Sequence, residues 1–125
     1  MTENDISFKI RGAIYEVYKN LEPGLFESVY EAVLTFELQK MGLKVQTQVP
    51  VPVVYKGQKL EIGFRLDILV EDKVIIEIKS VENLAAVHHK QLLTYLRLTG
   101  LKLGLLVNFN SDDILKSIFR KVNDL

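Results

Sequence analysis

The 125-residue sequence has no cysteine, which removes disulfides, thiolate metal sites and cysteine nucleophiles from consideration. It also has no net charge, with 16 basic and 16 acidic side chains, so it is not a protein that coats nucleic acid through bulk electrostatics. No apolar run approaches the roughly 18 residues of a membrane span. The opening MTENDISFKI lacks the basic-then-apolar pattern of a secretory signal. The chain therefore reads as cytoplasmic, with no membrane partner. It shows no internal repeat, linker or low-complexity tract. What is present, 48% apolar and 26% charged residues, suits one globular domain over residues 1–125 with a core of its own.

The charges are unevenly placed. Residues 1–78 hold 9 basic and 12 acidic side chains, a balance of −3, and residues 79–125 hold 7 and 4, a balance of +3. A basic second half is compatible with phosphate contacts, and equally with unevenly solvated faces.

Apolar spacing outlines the elements. Ile6, Ile10, Ala13, Ile14, Val17 and Leu21 recur at helical intervals and predict a helix over about 5–20, broken by Glu22-Pro23-Gly24. A second helix is expected over about 25–41, with Phe26, Val29, Val33, Phe36 and Leu38 supplying its apolar surface and Gly42 its stop. Strand character follows from residue 43. Pro50 and Pro52, two apart, place their missing N–H groups on one side and suggest an unpaired edge. Lys56-Gly57 reads as a hairpin turn, with further strands at about 58–70 and 74–79. A helix over about 83–99, a buried strand over 102–109 and a last helix through Ile114, Leu115, Ile118, Phe119 and Val122, capped by Ser111, complete an ααβββαβα order.

The segment FRLDILVEDKVIIEIKS (64–80) carries the chemistry. Alternate strand residues share a face. Phe64, Leu66, Ile68 and Val70 form one apolar set, and Val74, Ile76 and Ile78 another. Burying both sets against one core sets Leu66 opposite Ile78, Ile68 opposite Ile76 and Val70 opposite Val74. Glu71, Asp72 and Lys73 are then the loop, Asp67 lies opposite Glu77, and Arg65 lies opposite Lys79. A two-residue turn at Glu71-Asp72 would send the two acids to opposite faces and break the apolar pattern. Cross-strand neighbours sit about 4.5–5.5 Å apart, where two carboxylates repel unless a cation joins them or one takes a proton. Hard oxygen ligands so placed suit Mg²⁺ or Mn²⁺. Lys79, on the face of Glu77, can orient a water or stabilise charge on a phosphate. A surface salt-bridge cluster would produce the same pattern. Against that reading, Leu69 and Ile75 share the charged face, and flanking helices are available to cover it.

Two helices bring further candidates. Glu27, Tyr30, Glu31 and Leu34 form one stripe, with Glu27 in a first turn that favours an acid whatever its role. His88, Gln91 and Tyr95 form a polar line on the later helix. Gln91 can orient polar groups, Tyr95 can hydrogen-bond a phosphate, and His88 can bind phosphate or shuttle a proton. His88 is preferred to His89 because it shares the face of Gln91. It is not read as a metal ligand.

Together these blocks resemble the GxxExxY proteins, a family placed in the PD-(D/E)XK nuclease superfamily. GLFESVY (24–30) matches the naming motif, and FRLDILVEDKVIIEIKSVE (64–82), HHKQLLTYL (88–96) and GLLVNF (104–109) follow in the family's order. The GxxExxY string alone is weak; the set is specific and spans about residues 6–110. The resemblance implies an α/β restriction-endonuclease-like core, a central mixed sheet flanked by helices. It also implies catalytic Asp67, Glu77, Lys79, Glu27 and Gln91, metal ligands Asp67, Glu77 and Glu27, and Mg²⁺ as the usual cofactor. Tyr95, His88 and Tyr30 are the substrate-binding candidates. The sequence departs from the pattern at Leu66, where a proline often precedes the first acid, and at Tyr18, where many relatives carry histidine. The expected function is hydrolysis of phosphodiester bonds in DNA or RNA, with a homodimer as a candidate assembly. The alternative is a nuclease-fold module that binds nucleic acid or protein without turnover, because a short neutral chain leaves little surface for sequence recognition.

Overall fold

The computed structural model describes the backbone of residues 1–125 and every side chain except that of Ile62. Helix α1 (Glu3–Asn20) begins at a capping box, in which Asp5 N–H donates to Thr2 Oγ1 at 3.1 Å and Thr2 N–H donates to Asp5 Oδ2 at 3.0 Å. Ile6, Ile10, Ala13, Ile14 and Val17 are its buried stripe. Helix α2 (Glu27–Lys40) follows the Pro23-Gly24 turn. Its buried stripe is Tyr30, Leu34 and Leu38, whereas Phe26, Val29 and Phe36 are exposed, Phe26 to 82%. Of the expected apolar surface, Leu38 and Val33 do meet the core, and the expectation is corrected at Phe26, Val29 and Phe36. The helix is apolar on several faces, and spacing alone does not select the one that meets the sheet.

Five strands follow: β1 (Val45–Tyr55), β2 (Gln58–Val70), β3 (Val74–Lys79), β4 (Leu103–Asn108) and β5 (Ile118–Val122), with α3 (Ala86–Thr99) between β3 and β4. They lie side by side in chain order in one sheet, with β3 and β4 parallel and the other pairs antiparallel. β1, with its two prolines, is an edge strand as expected. The Lys56-Gly57 turn has both residues at positive φ, the conformation of a tight two-residue hairpin.

The last helix is a correction. Residues 114–117 form one turn of 3-10 helix, and residues 118–122 form β5, antiparallel to β4. Every residue of β4 is buried, so its far edge would leave backbone N–H and C=O groups without partners. Ile118 and Phe119 then serve opposite faces of the sheet. The expected Ser111 cap is corrected with it: Ser111 Oγ accepts from Asp113 N–H at 3.1 Å, but the 3-10 turn has Asp113 at its N-cap and no side-chain cap bond.

The core is layered. One cluster joins α1 and α2 to the sheet through Ile68, Val70, Val74, Ile76, Ile78, Leu105 and Val107. The other joins α3 to the opposite face through Leu69, Ile75 and Leu106. Gly104 lies beneath α3, where an added Cβ would stand 2.7 Å from the Cδ1 of the fully buried Leu92. Gly104→Ala is expected to lower unfolding free energy by about 1–3 kcal/mol through overpacking. Urea titration checks this, and an unchanged midpoint would mean that Leu92 repacks without strain.

Candidate active site

The β2–β3 hairpin has the register read from its apolar pattern. Val70 pairs with Val74, Leu69 with Ile75 and Ile68 with Ile76, and residues 71–73 form the loop with Glu71 and Asp72 at positive φ. The ladder then opens. Where the next pair would be, Asp67 N–H donates to Glu77 Oε2 at 2.8 Å, and Ile78 N–H donates to Asp67 Oδ2 at 2.8 Å. Each carboxylate thus satisfies a backbone donor of the facing strand, and two acids replace two ladder bonds.

Beyond this point β2 leaves β3. Leu66 and Phe64 depart from the apolar set of Ile68 and Val70 and pack on the α3 side with Val51, Leu69, Ile75 and Tyr95. Their assignment to a shared face with Ile68 is corrected, because strict alternation fails where the strands diverge. Arg65 does not meet Lys79. It pairs with Pro50, and its guanidinium reaches Gln48 O at 3.5 Å.

Burial and charge tune the two acids. Glu77 is only 5% exposed. Burial, then the adjacent charge of Asp67, push its carboxyl from 4.5 up to about 8, against the opposing pull of Asp67 N–H and Lys79. Asp67 is also raised, chiefly by burial, with Ile78 N–H and Lys79 pulling the other way. A buried and a half-buried carboxylate, held together through their partners' backbones, form a site where positive charge is favoured.

Helix α2 supplies a third acid. Glu27 Oε2 accepts from Ser80 N–H at 3.0 Å, just beyond β3, and Ser80 Oγ donates to Leu25 O at 2.7 Å. These bonds fasten the start of α2 to the end of the strand that carries Glu77 and Lys79. Glu27, Glu31, Gln48, Asp67 and Ile78 line a cavity of about 220 Å³. Glu31 and Gln48 are additions to the expected site residues. Gln48 Nε2 donates to Glu31 Oε1 at 2.6 Å, and burial, with Asp67 nearby, raises the Glu31 carboxyl. The i, i+4 spacing from Glu27 is the one sequence signal for Glu31. Gln48, at positive φ on an edge strand, has none.

The remaining candidates divide. Tyr95 is buried, sets its ring edge-on to Phe64 with centroids 5.9 Å apart, and has its hydroxyl pKa raised by burial and by Glu77 and Asp67. It therefore lies within the electrostatic reach of both acids. Gln91, one turn earlier on α3, is half-buried, and its amide makes no protein hydrogen bond among the described residues. His88 is used locally, where its Nδ1 accepts from Ala85 N–H at 3.0 Å at the start of α3. Tyr30 is fully engaged elsewhere. Its hydroxyl donates to Glu22 O at 2.5 Å and accepts from Leu25 N–H at 3.2 Å, and its ring stacks on Phe109 at 4.4 Å. It shapes the turn that presents Glu27.

A divalent ion fits this donor set. Asp67 and Glu77 each use one oxygen on backbone and keep the other, and all available ligands are hard oxygens. Among the described residues no three acidic or histidine side chains stand close enough to cage an ion. Mg²⁺ is commonly held this way, by one or two carboxylates with water and substrate completing its shell.

A mixed sheet flanked by helices, with an opened hairpin that joins two acids beside a lysine, is a restriction-endonuclease-like α/β fold. A family model of the PD-(D/E)XK nuclease superfamily matches residues 4–122, and the chain belongs to that superfamily. Its nucleases generally use divalent metal ions. No curated protein and no solved structure matches the chain significantly. Among the described residues no helix is long and apolar enough to cross a membrane.

Proposed function

We propose that this chain is a Mg²⁺- or Mn²⁺-dependent nuclease of the GxxExxY branch, hydrolysing phosphodiester bonds in DNA or RNA. The observation that carries the reading is the reciprocal bonding of Asp67 and Glu77 across the opened hairpin. It holds the buried Glu77 and the half-buried Asp67 together with raised pKa values, an arrangement a divalent ion relieves. Asp67 and Glu77 would hold the ion through their remaining oxygens, with Glu27 contacting it or its water. When bound, such an ion polarises a phosphate and lowers the pKa of a coordinated water.

The chain's own groups do the rest. Lys79 positions the attacking water or offsets charge growing on the phosphate oxygens. Glu27, fastened to Ser80, keeps α2 against the site. Gln91 and Tyr95 orient substrate from α3, and His88 offers its free Nε2 to a phosphate. A homodimer would supply the two sites that double-strand cutting requires.

The test is cleavage of single- and double-stranded DNA and of RNA in Mg²⁺, Mn²⁺ or EDTA. Metal-dependent products from at least one substrate are expected. Binding without products in either metal would instead establish a non-catalytic nuclease-fold module.

A further inference from the structure

A second cleft lies apart from the one the acids line. It measures about 610 Å³ and lies past the ends of β3 and β4, bounded by Pro23, the 82–84 loop, His89 on α3, Asn108, residues 110–112 and Phe119 on β5. That volume is in the range of small-molecule sites.

Its chemistry is distinct. No lysine or arginine lines it, while Glu82 and Asp112 do, so it disfavours phosphate. Its floor is built rather than incidental. The buried Asn108 amide is held on both sides: Nδ2 donates to Val81 O at 2.9 Å, and Oδ1 accepts from Val81 N–H at 3.1 Å and Asn110 N–H at 3.2 Å. Ser111 and Ser117 bond each other at 2.6 Å. The side-chain amides of Asn83 and Asn110, by contrast, have no protein partner among the described residues, and neither do the His89 ring nitrogens. Burial, then Lys121 and His88, lower the His89 pKa, which favours the neutral ring with its one donor and one acceptor. Phe119 gives a half-buried aromatic surface, with His89 edge-on to it at 5.0 Å between centroids.

Flat, uncharged and rich in both donors and acceptors describes a nucleobase. The location fits as well. Asn108 is the register partner of Lys79 on the adjacent strand, about 4.8 Å away backbone to backbone, so the lysine stands between the acids and the cleft. We propose that this cleft receives one splayed base of a single-stranded or locally opened nucleic acid, held against Phe119 and hydrogen-bonded by Asn83, Asn110 and His89. The inference rests on the reading that a nucleic-acid strand occupies the acidic site.

The test uses full-length Asp67→Asn protein in Mg²⁺, which keeps the strand intact. Single-stranded oligonucleotides carrying 2-aminopurine, or an abasic site, at successive positions are titrated by fluorescence. One position is expected to show quenching, and an abasic site there to weaken binding about 10-fold. Adding Asn110→Ala or Phe119→Leu should weaken the parent oligonucleotide similarly and remove the abasic penalty. Asn110→Ala keeps the test valid if Phe119→Leu does not fold. Equal binding of parent and abasic strands, an undiminished penalty in both variants, or binding of free nucleosides alone would overturn the proposal. Cleavage of the parent strand by wild-type protein is scored separately. Cutting with a flat abasic series removes only the base site, and an abasic penalty without cutting removes only the nuclease reading.

Discussion

Asp67→Asn is expected to reduce metal-dependent cleavage by at least about 10³-fold while the domain stays folded. The two effects separate because Asp67 has two separable contacts. Its Oδ2 accepts from Ile78 N–H, and an asparagine Oδ1 can take over that bond. Its charge has no such substitute in holding a divalent ion. Asp67→Ala loses both, leaving the Ile78 N–H without its acceptor, and should cost a further 1–3 kcal/mol or so of stability. Gel cleavage assays with urea melts of both variants, and calorimetric titration of Mg²⁺ and Mn²⁺, provide the measurement. Wild-type-like cleavage by Asp67→Asn would eliminate the metal site from any account of this protein.

The second large effect concerns pH. In the metal-free protein Glu77 titrates near 8, against 4.5 for an ordinary glutamate. Between those values the folded state holds a proton that the unfolded chain has released. Stability from this group is therefore fully present below about pH 4.5 and is lost as pH rises through about 8. The slope approaches about 1.4 kcal/mol per pH unit, and the whole effect is of the order of a few kcal/mol. Asp67, raised in the same direction, adds to it. Urea melts in EDTA from pH 5 to 9 should show this decline, and Glu77→Gln should flatten most of it. Mg²⁺ added at pH 8 should restore stability to the wild type but not to Glu77→Gln. Binding at pH 7 should release close to one proton per ion. An equal pH slope in wild type and Glu77→Gln would mean that Glu77 is already ionised.

The central hairpin is legible in the sequence because its apolar residues obey one rule until the rule has a reason to fail. Ile68, Val70, Val74 and Ile76 specify the register, and with it the meeting of Asp67 and Glu77. The rule stops at Leu66, where β2 departs from β3. Alternation along a strand carries no information about where a neighbour leaves. The final segment misleads for a related reason. Ile114, Ile118 and Val122 repeat at helical spacing, and only the open edge of β4, a long-range fact, makes residues 118–122 a strand. Glu31 and Gln48 enter the cavity from a helix and an edge strand that no short-range pattern brings together. Tyr30 lies in a recognisable motif, but its role depends on the carbonyl of Glu22 and the ring of Phe109.

The exchange of bonds at the opened hairpin affects how related sequences should be compared. Asp67 and Glu77 are each fastened to the opposite backbone, so they hold the chain's shape whether or not any strand is cut. A descendant that lost its chemistry would still be under pressure to keep both acids. Lys79 makes no side-chain hydrogen bond or ion pair among the described residues, and so is free of that architectural duty. In a lineage drifting toward a purely scaffolding existence the lysine should disappear first, which makes its identity a better marker of a working enzyme than either carboxylate.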